Sequence, residues 1–317
     1  MCTNQGFKSF IPDSKKVFSK YLYYWLKANR EYLDGLGNGA TFKELSRSVI
    51  SKVAFPLPPL PEQRRIAAIL DKADALREKR RQAIAKLDEL LKSVFIEMFG
   101  DPVTNPKGLP TKPIKEFGKV TTGNTPSRSD SEFYGAKIEW IKSDNINTPY
   151  HVLTAAEEWL SEKGQAVGRT VPAGSILVTC IAGSRDCIGN VALADREVAF
   201  NQQINAITPN RNTNPHFLYT QILLAKRLIQ RASTDSMKGM VSKSAFSEIE
   251  LLSPPEQDQE KFGLWFERFH ATFKNLHKAL KIQENLFTSL QQRAFSGELF
   301  TEKAVSVPHV AEVSQHV

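Results

Sequence analysis

The side chains best placed to do chemistry in this sequence are hydroxyls, amides and cations in short loops, not a nucleophile with its base. Thr125-Pro126-Ser127-Arg128-Ser129 sets hydroxyls beside a guanidinium, a combination suited to phosphate oxygens or to the O6/N7 edge of guanine. Lys142, Ser143, Asp144 and Asn145 follow a predicted strand and offer amide and carboxylate groups that match adenine or cytosine edges. Ser184 and Arg185 lie in a Gly-flanked turn, and Lys238 and Lys243 bound a further basic loop. Each of these runs also reads as an ordinary solvated loop. Asn201-Gln202-Gln203 recurs in part as Asn4-Gln5, which points to structural hydrogen bonding more than to readout.

Catalytic signatures are missing from the sequence. It has no Gly-rich methyl-donor loop, no Asn/Asp-Pro-Pro-aromatic tetrapeptide and no Walker A run. Cys2, Cys180 and Cys187 give neither a disulfide framework nor zinc spacing, and read as reduced thiols of a cytoplasmic protein. The histidines are scattered, with His270 and His277 expected to face solvent, so no metal site is expected. A net charge of +8 over 317 residues suits an anionic partner, nucleic acid first. Lys8, Asp13, Lys15 and Lys16 interrupt any secretory pattern, and the apolar run from Ile176 to Ala182 is far short of a membrane span.

The elements that must position these loops are dominated by two long helices. From the proline-rich stop before Pro61 to Gly100 there is no Gly or further Pro, which predicts a helix on the order of 55–60 Å long. Its seam, apolar but for Arg77 and Arg80, runs Ile66, Leu70, Ala73, Arg77, Arg80, Ile84, Leu87, Leu91, Val94 and Met98 in alternating steps of four and three. Moved on by 196 residues (Pro58-Pro59 to Pro254-Pro255), the seam becomes Phe262, Phe266, Phe269, Phe273, Leu276, Leu280, Gln283, Phe287, Leu290 and Ala294. The same offset carries Tyr21-Leu22-Tyr23 onto Phe217-Leu218-Tyr219, and one residue more carries Pro12 onto Pro209. One offset surviving over about eighty residues is an internal duplication. Paired antiparallel, Ala73 would oppose Phe287, Arg77 would meet Gln283 as a polar layer, and Arg80 would snorkel outward near Leu280.

The sequence divides at its Pro/Gly stops into residues 1–60, a long helix over 61–101, a mixed region over 102–255, the second long helix over 256–300, and a polar tail at 301–317 expected to be disordered. Residues 17–33 predict a helix with Phe18, Leu22, Trp25, Leu26 and Leu33 on one face, followed by a glycine turn and a strand at 49–57. In the mixed region, strands are expected at 137–142, 175–181, 189–194 and 203–208, with helices at 155–163 and 216–232.

The Pro-Leu-Pro-Pro-Leu-Pro-Glu-Gln-Arg-Arg-Ile lead-in at 56–66, the duplicated Pro-Pro/long-helix unit, Gly123-Asn124-Thr125-Pro126-Ser127, Trp140-Ile141-Lys142-Ser143-Asp144, Asn201-Gln202-Gln203-Ile204-Asn205 and the closing Gln292–Leu299 together resemble the specificity subunit of type I restriction–modification enzymes. That resemblance implies an α+β chain in which a mixed α/β target recognition domain reads half of a split DNA site. It also implies two long helices that pack as an antiparallel coiled-coil spacer and dock methyltransferase subunits and, through them, the restriction subunit. S-adenosylmethionine, ATP and magnesium would then belong to the partners, with no cofactor on this chain. Residues 1–60 read on the same basis as the C-terminal remnant of a first recognition domain. The chain alone would then read one half-site, and full specificity would need a second copy or a complementing fragment. A coiled-coil interaction scaffold without DNA binding, or a nonfunctional remnant of a split gene, are the alternative readings.

Overall fold

A computed structural model of the protein describes residues 7–37, 44–234 and 239–300. The predicted glycine turn is described only in part, and Cys2, Asn4-Gln5, Lys238 and the polar tail lie outside the described residues. The chain is mixed α/β, with long helices at Leu60–Phe99 and Glu256–Phe295. It forms two compact units, one of residues 1–83 and 276–317, the other of residues 84–275.

In the first unit a short helix, Ser19–Ala28, lies against the long-helix segments. Its buried face is Tyr21, Tyr24 and Trp25; of the expected face, Trp25 is buried, while Phe18, Leu22, Leu26 and Leu33 are half-buried. The tyrosines are drawn inward because their hydroxyls have partners: Tyr21 donates to the Pro56 carbonyl at 3.0 Å and Tyr24 to Asp71 at 2.8 Å. The predicted helix over 17–33 breaks at Asn29, whose side chain bonds the Trp25 carbonyl, and resumes as Arg30–Gly35. The strand expected at 49–57 does not form. Ser46 caps a helical turn at Arg47–Ile50 by accepting from Val49 N at 3.2 Å, and the prolines that follow have no N–H for a ladder.

Ile66 and Leu70 pack with Phe287 and Ala294, joined by half-buried Ala73 and Leu290, and the contacts of Arg77 with Phe287 and of Arg81 with Glu284 set these segments antiparallel. Among the described residues the expected Arg77–Gln283 layer forms no hydrogen bond. Arg77 instead places its guanidinium 4.0 Å from the centre of the Phe287 ring, one turn beyond Gln283, with Asp74 at 3.5 Å. The cross-helix ion pair is Arg81–Glu284 at 3.0 Å, Arg80 is half-buried, and Leu280 and Gln283 are half-buried.

In the second unit, Ile84 and Leu91 are buried, but the seam then runs through Phe95 and Phe99, leaving Leu87, Val94 and Met98 half-buried. A straight helix drifts from a strict 3.5-residue repeat by about 20° per heptad, which brings the next residue round to the core. Phe95 meets Phe262 edge-on at 5.4 Å, and Phe266, Phe269 and Phe273 continue the buried stripe.

The second unit carries twelve short strands among its described residues: β1 (Thr111–Pro113), β2 (Gly118–Thr122), β3 (Tyr134–Ile141), β4 (Trp159–Leu160), β5 (Thr170–Val171), β6 (Ile176–Thr179), β7 (Ile181–Ala182), β8 (Val191–Leu193), β9 (Val198–Phe200), β10 (Ile204–Pro209), β11 (Gly239–Met240) and β12 (Glu250–Leu252). They form an antiparallel sheet β2-β10-β6-β8, a mixed sheet β4-β3-β9-β5 and the pairs β1-β12 and β7-β11. Ile141, Leu153, Leu177, Val198, Phe200 and Ala206 fill one core between the sheets. The helix expected at 155–163 is replaced by β4, because pairing with β3 satisfies its backbone, and Ser161 then caps a helix at Glu162–Val167. The segment expected as one helix at 216–232 is two, Pro215–Leu224 and Lys226–Arg231, separated by Ala225.

The duplication is legible in hydrogen bonds. Gln63 is buried, accepts from Phe18 N at 2.8 Å and donates to the Pro58 carbonyl at 2.7 Å. Gln259 is buried, accepts from Asn214 N at 3.3 Å and donates to the Pro254 carbonyl at 3.0 Å. Tyr21 against Phe295, and Phe217 against Phe99, are the same edge-to-face pair in each unit.

Candidate nucleic-acid interface

Two of the loops picked from the sequence, those of Thr125 and Ser143, converge on the turn between β9 and β10. That turn is narrow because Asn201 N bonds the Ile141 carbonyl and Asn201 Oδ1 accepts from Gln203 N, both at 3.0 Å. Gly123 lies directly on it, bonding Ile204 O at 3.1 Å. A Cβ there would fall 2.1 Å from the Asn201 carbonyl oxygen, so no other residue fits. The Thr125 hydroxyl bonds Gln202, and the Ser143 hydroxyl donates to Gln203 at 3.3 Å. The Gln203 carbonyl accepts from Cys180 N at 2.8 Å and Ile181 N at 3.1 Å, which ties in the loop after β6.

Arg128 and Lys142 do not present bare charges. Both contact the Glu158 carboxylate, Arg128 at 2.6 Å, and both cover the Trp140 ring, Arg128 at 4.8 Å and Lys142 at 5.4 Å. The Arg128 and Lys142 hydrogen bonds hold the Glu158 carboxyl below its usual value. Two cations on one anion still leave the cluster net positive. Ser127 shares its hydroxyl with Ser129 at 2.8 Å, and Asp144 is exposed.

Asn145, picked as a base-edge amide, is buried. Its oxygen accepts from Lys142 N at 3.0 Å and its nitrogen donates to Thr154 Oγ1 at 3.2 Å and Ala155 O at 3.0 Å, so the amide holds the loop. Ser184 caps a helical turn through Asp186 N at 3.3 Å, and exposed Arg185 reaches the Gln230 carbonyl. Lys243 is exposed after β11, which β7 pairs with, so this loop joins the Ser184 loop rather than the Thr125 loop.

Sequence reasoning missed Arg169. It is exposed, donates to the Thr122 carbonyl at 2.7 Å, bonds Asn124 Oδ1 through its own backbone at 2.8 Å, and has no carboxylate partner among the described residues. Nothing local marks it; only the Asn124 side chain, which also bonds Val167 O at 2.9 Å, carries it to the loop.

The remaining candidates for chemistry are spoken for. Burial pushes the Cys180 thiol up to about 12, which leaves it neutral and inert. His270, expected in solvent, is half-buried and stacked 5.8 Å from Phe266, and burial lowers its pKa first. His151 is buried, with Nδ1 at 2.8 Å from the Tyr219 hydroxyl and Nε2 at 2.9 Å from Asp88. No cluster of three or more metal-ligating side chains occurs among the described residues, and no described helix is long and apolar enough to cross a membrane.

The sequence matches the type I restriction modification DNA specificity domain over residues 1–87 and 106–284. The type I restriction enzyme MjaIX specificity subunit of Methanocaldococcus jannaschii is 32% identical over 167 residues, covering 46% of this chain and 38% of that protein. The EcoR124I/EcoR124II specificity subunit of Escherichia coli is 26% identical over 316 residues, covering 95% of this chain and 74% of that one. The crystal structure of a type I restriction-modification system S subunit from M. genitalium shares the fold, with a TM-score of 0.60 at 16% identity over 89% of this chain and 74% of that one. The match to the M. jannaschii relative thus spans well under two thirds of that protein's own length.

Proposed function

The chain belongs to the type I restriction modification DNA specificity family, and from that premise we propose that its residues 102–255 read a short stretch of duplex DNA without performing catalysis. The observation that carries this reading is the convergence of the Thr125, Ser143 and Ile181 loops on the Asn201–Gln203 turn. Hydroxyls and amides gathered in one place suit base edges, and Arg169 with the Arg128–Lys142 cluster suits the flanking phosphates. The half-site, the methyltransferase and restriction subunits, and the S-adenosylmethionine, ATP and magnesium they would carry belong to the same proposal. The two long helices supply the docking surfaces, a role supported by exposed Leu76, Leu90, Ile96, Leu264, Ile282 and Leu286 along them.

A titration of fluorescent duplex DNA at increasing salt tests the reading. A reader that neutralises several phosphates loses affinity steeply and linearly on a log–log plot. A protein-binding scaffold shows no binding to lose.

A further inference from the structure

Two glutamates lie beside each other at the β3–β4 edge, and only one of them holds backbone. Glu139, on β3, is buried; besides its ion pair with Arg196 it accepts from Ala156 N at 2.8 Å. Glu158, just before β4, keeps a third of its side chain in solvent. Among the described residues its carboxylate pairs with two cations and with no backbone N–H: Arg128 meets Oε2 at 2.6 Å and Lys142 meets Oε1.

The sheet, not the cations, sets where this carboxylate lies. Trp140 N bonds the Glu158 carbonyl at 3.0 Å, and Glu139 pairs with Trp159 in the β3–β4 register. Trp140 is buried and its Nε1 donates to the Asn124 carbonyl at 3.2 Å, while the Tyr134 hydroxyl donates to the Pro126 carbonyl at 2.8 Å. The two rings are thus a platform tied to the loop that carries Arg128. The Arg128 guanidinium lies 4.6 Å from the centre of the Tyr134 ring and 4.8 Å from that of Trp140. Lys142 arrives from the other loop at the Asn201–Gln203 turn, one residue before Ser143.

Two cations from the two loops that meet at this turn, their side chains 53% and 33% exposed, are therefore drawn onto one anion with two oxygens. A phosphodiester offers the same features, one negative charge and two non-bridging oxygens that accept hydrogen bonds. Ion pairs this exposed contribute little to stability, so Glu158 is placed for its charge more than for the fold.

We infer that Glu158 is an internal stand-in for a DNA phosphate, holding Arg128 and Lys142 in the free chain and giving them up when duplex DNA docks. The inference rests on the DNA-reading proposal and adds to it a residue that sets affinity. The same anion must be displaced at every site, so duplex that offers phosphates alone is held weakly and base contacts decide what stays bound.

The test is fluorescence anisotropy of the full chain on a random-sequence duplex over a salt series, with Glu158→Gln beside the parent. The variant is expected to bind about threefold to tenfold more tightly at low salt, with a salt slope steeper by about one. Glu158→Ala should do the same, and melting curves check both folds. In an Arg128→Gln/Lys142→Gln background the gain from Glu158→Gln should vanish, because no cation remains to be released. Unchanged or weaker binding by both Glu158 variants, or a gain that survives loss of the two cations, would overturn the inference. So would a lowered melting temperature in both variants, which would make Glu158 an architectural residue. In each of those cases salt-dependent binding by the parent leaves the DNA reading standing. If neither the parent nor Glu158→Gln binds duplex, the reading and the inference fall together.

Discussion

Gln63 and Gln259 take the same donors and acceptors in the two units, yet the residues around them meet different fates. Around Gln259 the repeat is closed over by β1 and β2, and Ile204, Ile207 and Leu251 are buried. Around Gln63 the corresponding Phe7 and Phe10 are exposed and Phe55 lines a cavity. The comparison separates two layers of one design. The glutamine node and the aromatic pair beneath it need only the short helix and the long helices. The outer apolar layer needs a strand–turn–strand cover, and the second unit provides it from residues 110–122.

The largest effect should come from the aromatic pair. Phe217→Ala removes a fully buried ring from against Phe95 and Phe99 and should cost about 3–5 kcal/mol. Tyr21→Ala in the first unit also strips a hydrogen bond to Pro56, so urea unfolding should show losses of the same order. A loss below about 1 kcal/mol at either site would break the equivalence of the two units.

Next come the glutamines. Gln259→Ala leaves Asn214 N without its partner, and Gln63→Ala does the same to Phe18 N, each at about 1–3 kcal/mol in chemical denaturation. A cost confined to one of them would show that only one unit depends on the node.

An acid titration sharpens the comparison within the second unit alone. Glu139 is buried against Arg196, whose hydrogen bond holds the carboxyl below its ordinary value. A depressed carboxylate stabilises the fold above the unfolded pKa of about 4.3, and that contribution fades as pH falls through the lower folded value. Stability followed by tryptophan fluorescence should therefore decline in the acid limb, and Glu139→Gln should flatten the decline at the expense of stability at neutral pH.

The smallest change is expected from Arg169→Ala. It should weaken DNA binding uniformly across sequences and reduce the salt slope by about one, with thermal stability unaltered.

What could be read from the sequence was what repeats or alternates. The heptad and the Pro-Pro lead-in show both long helices, and the buried run of β6 shows as an apolar stretch. What could not be read depends on helix geometry or on partners distant along the chain. Phe95 replaces Val94 because the helix drifts from its heptad, and β4 is a strand only because β3 lies beside it. The candidate interface follows the same rule. Thr125 and Ser143 are visible as loop hydroxyls, whereas Asn145 is turned inward and Arg169 is brought in by its bond to Asn124, 45 residues earlier in the sequence.

The claim that the Asn201–Gln203 turn gathers a DNA-reading surface is tested most directly by selection from a random duplex library. The intact chain and a Thr125→Ala/Gln202→Ala variant would be compared at physiological salt. The account predicts that the intact chain enriches one short motif, and that the variant binds with the same salt slope but a relaxed or altered motif. An unenriched pool from the intact chain, or the same motif from both proteins, would contradict it.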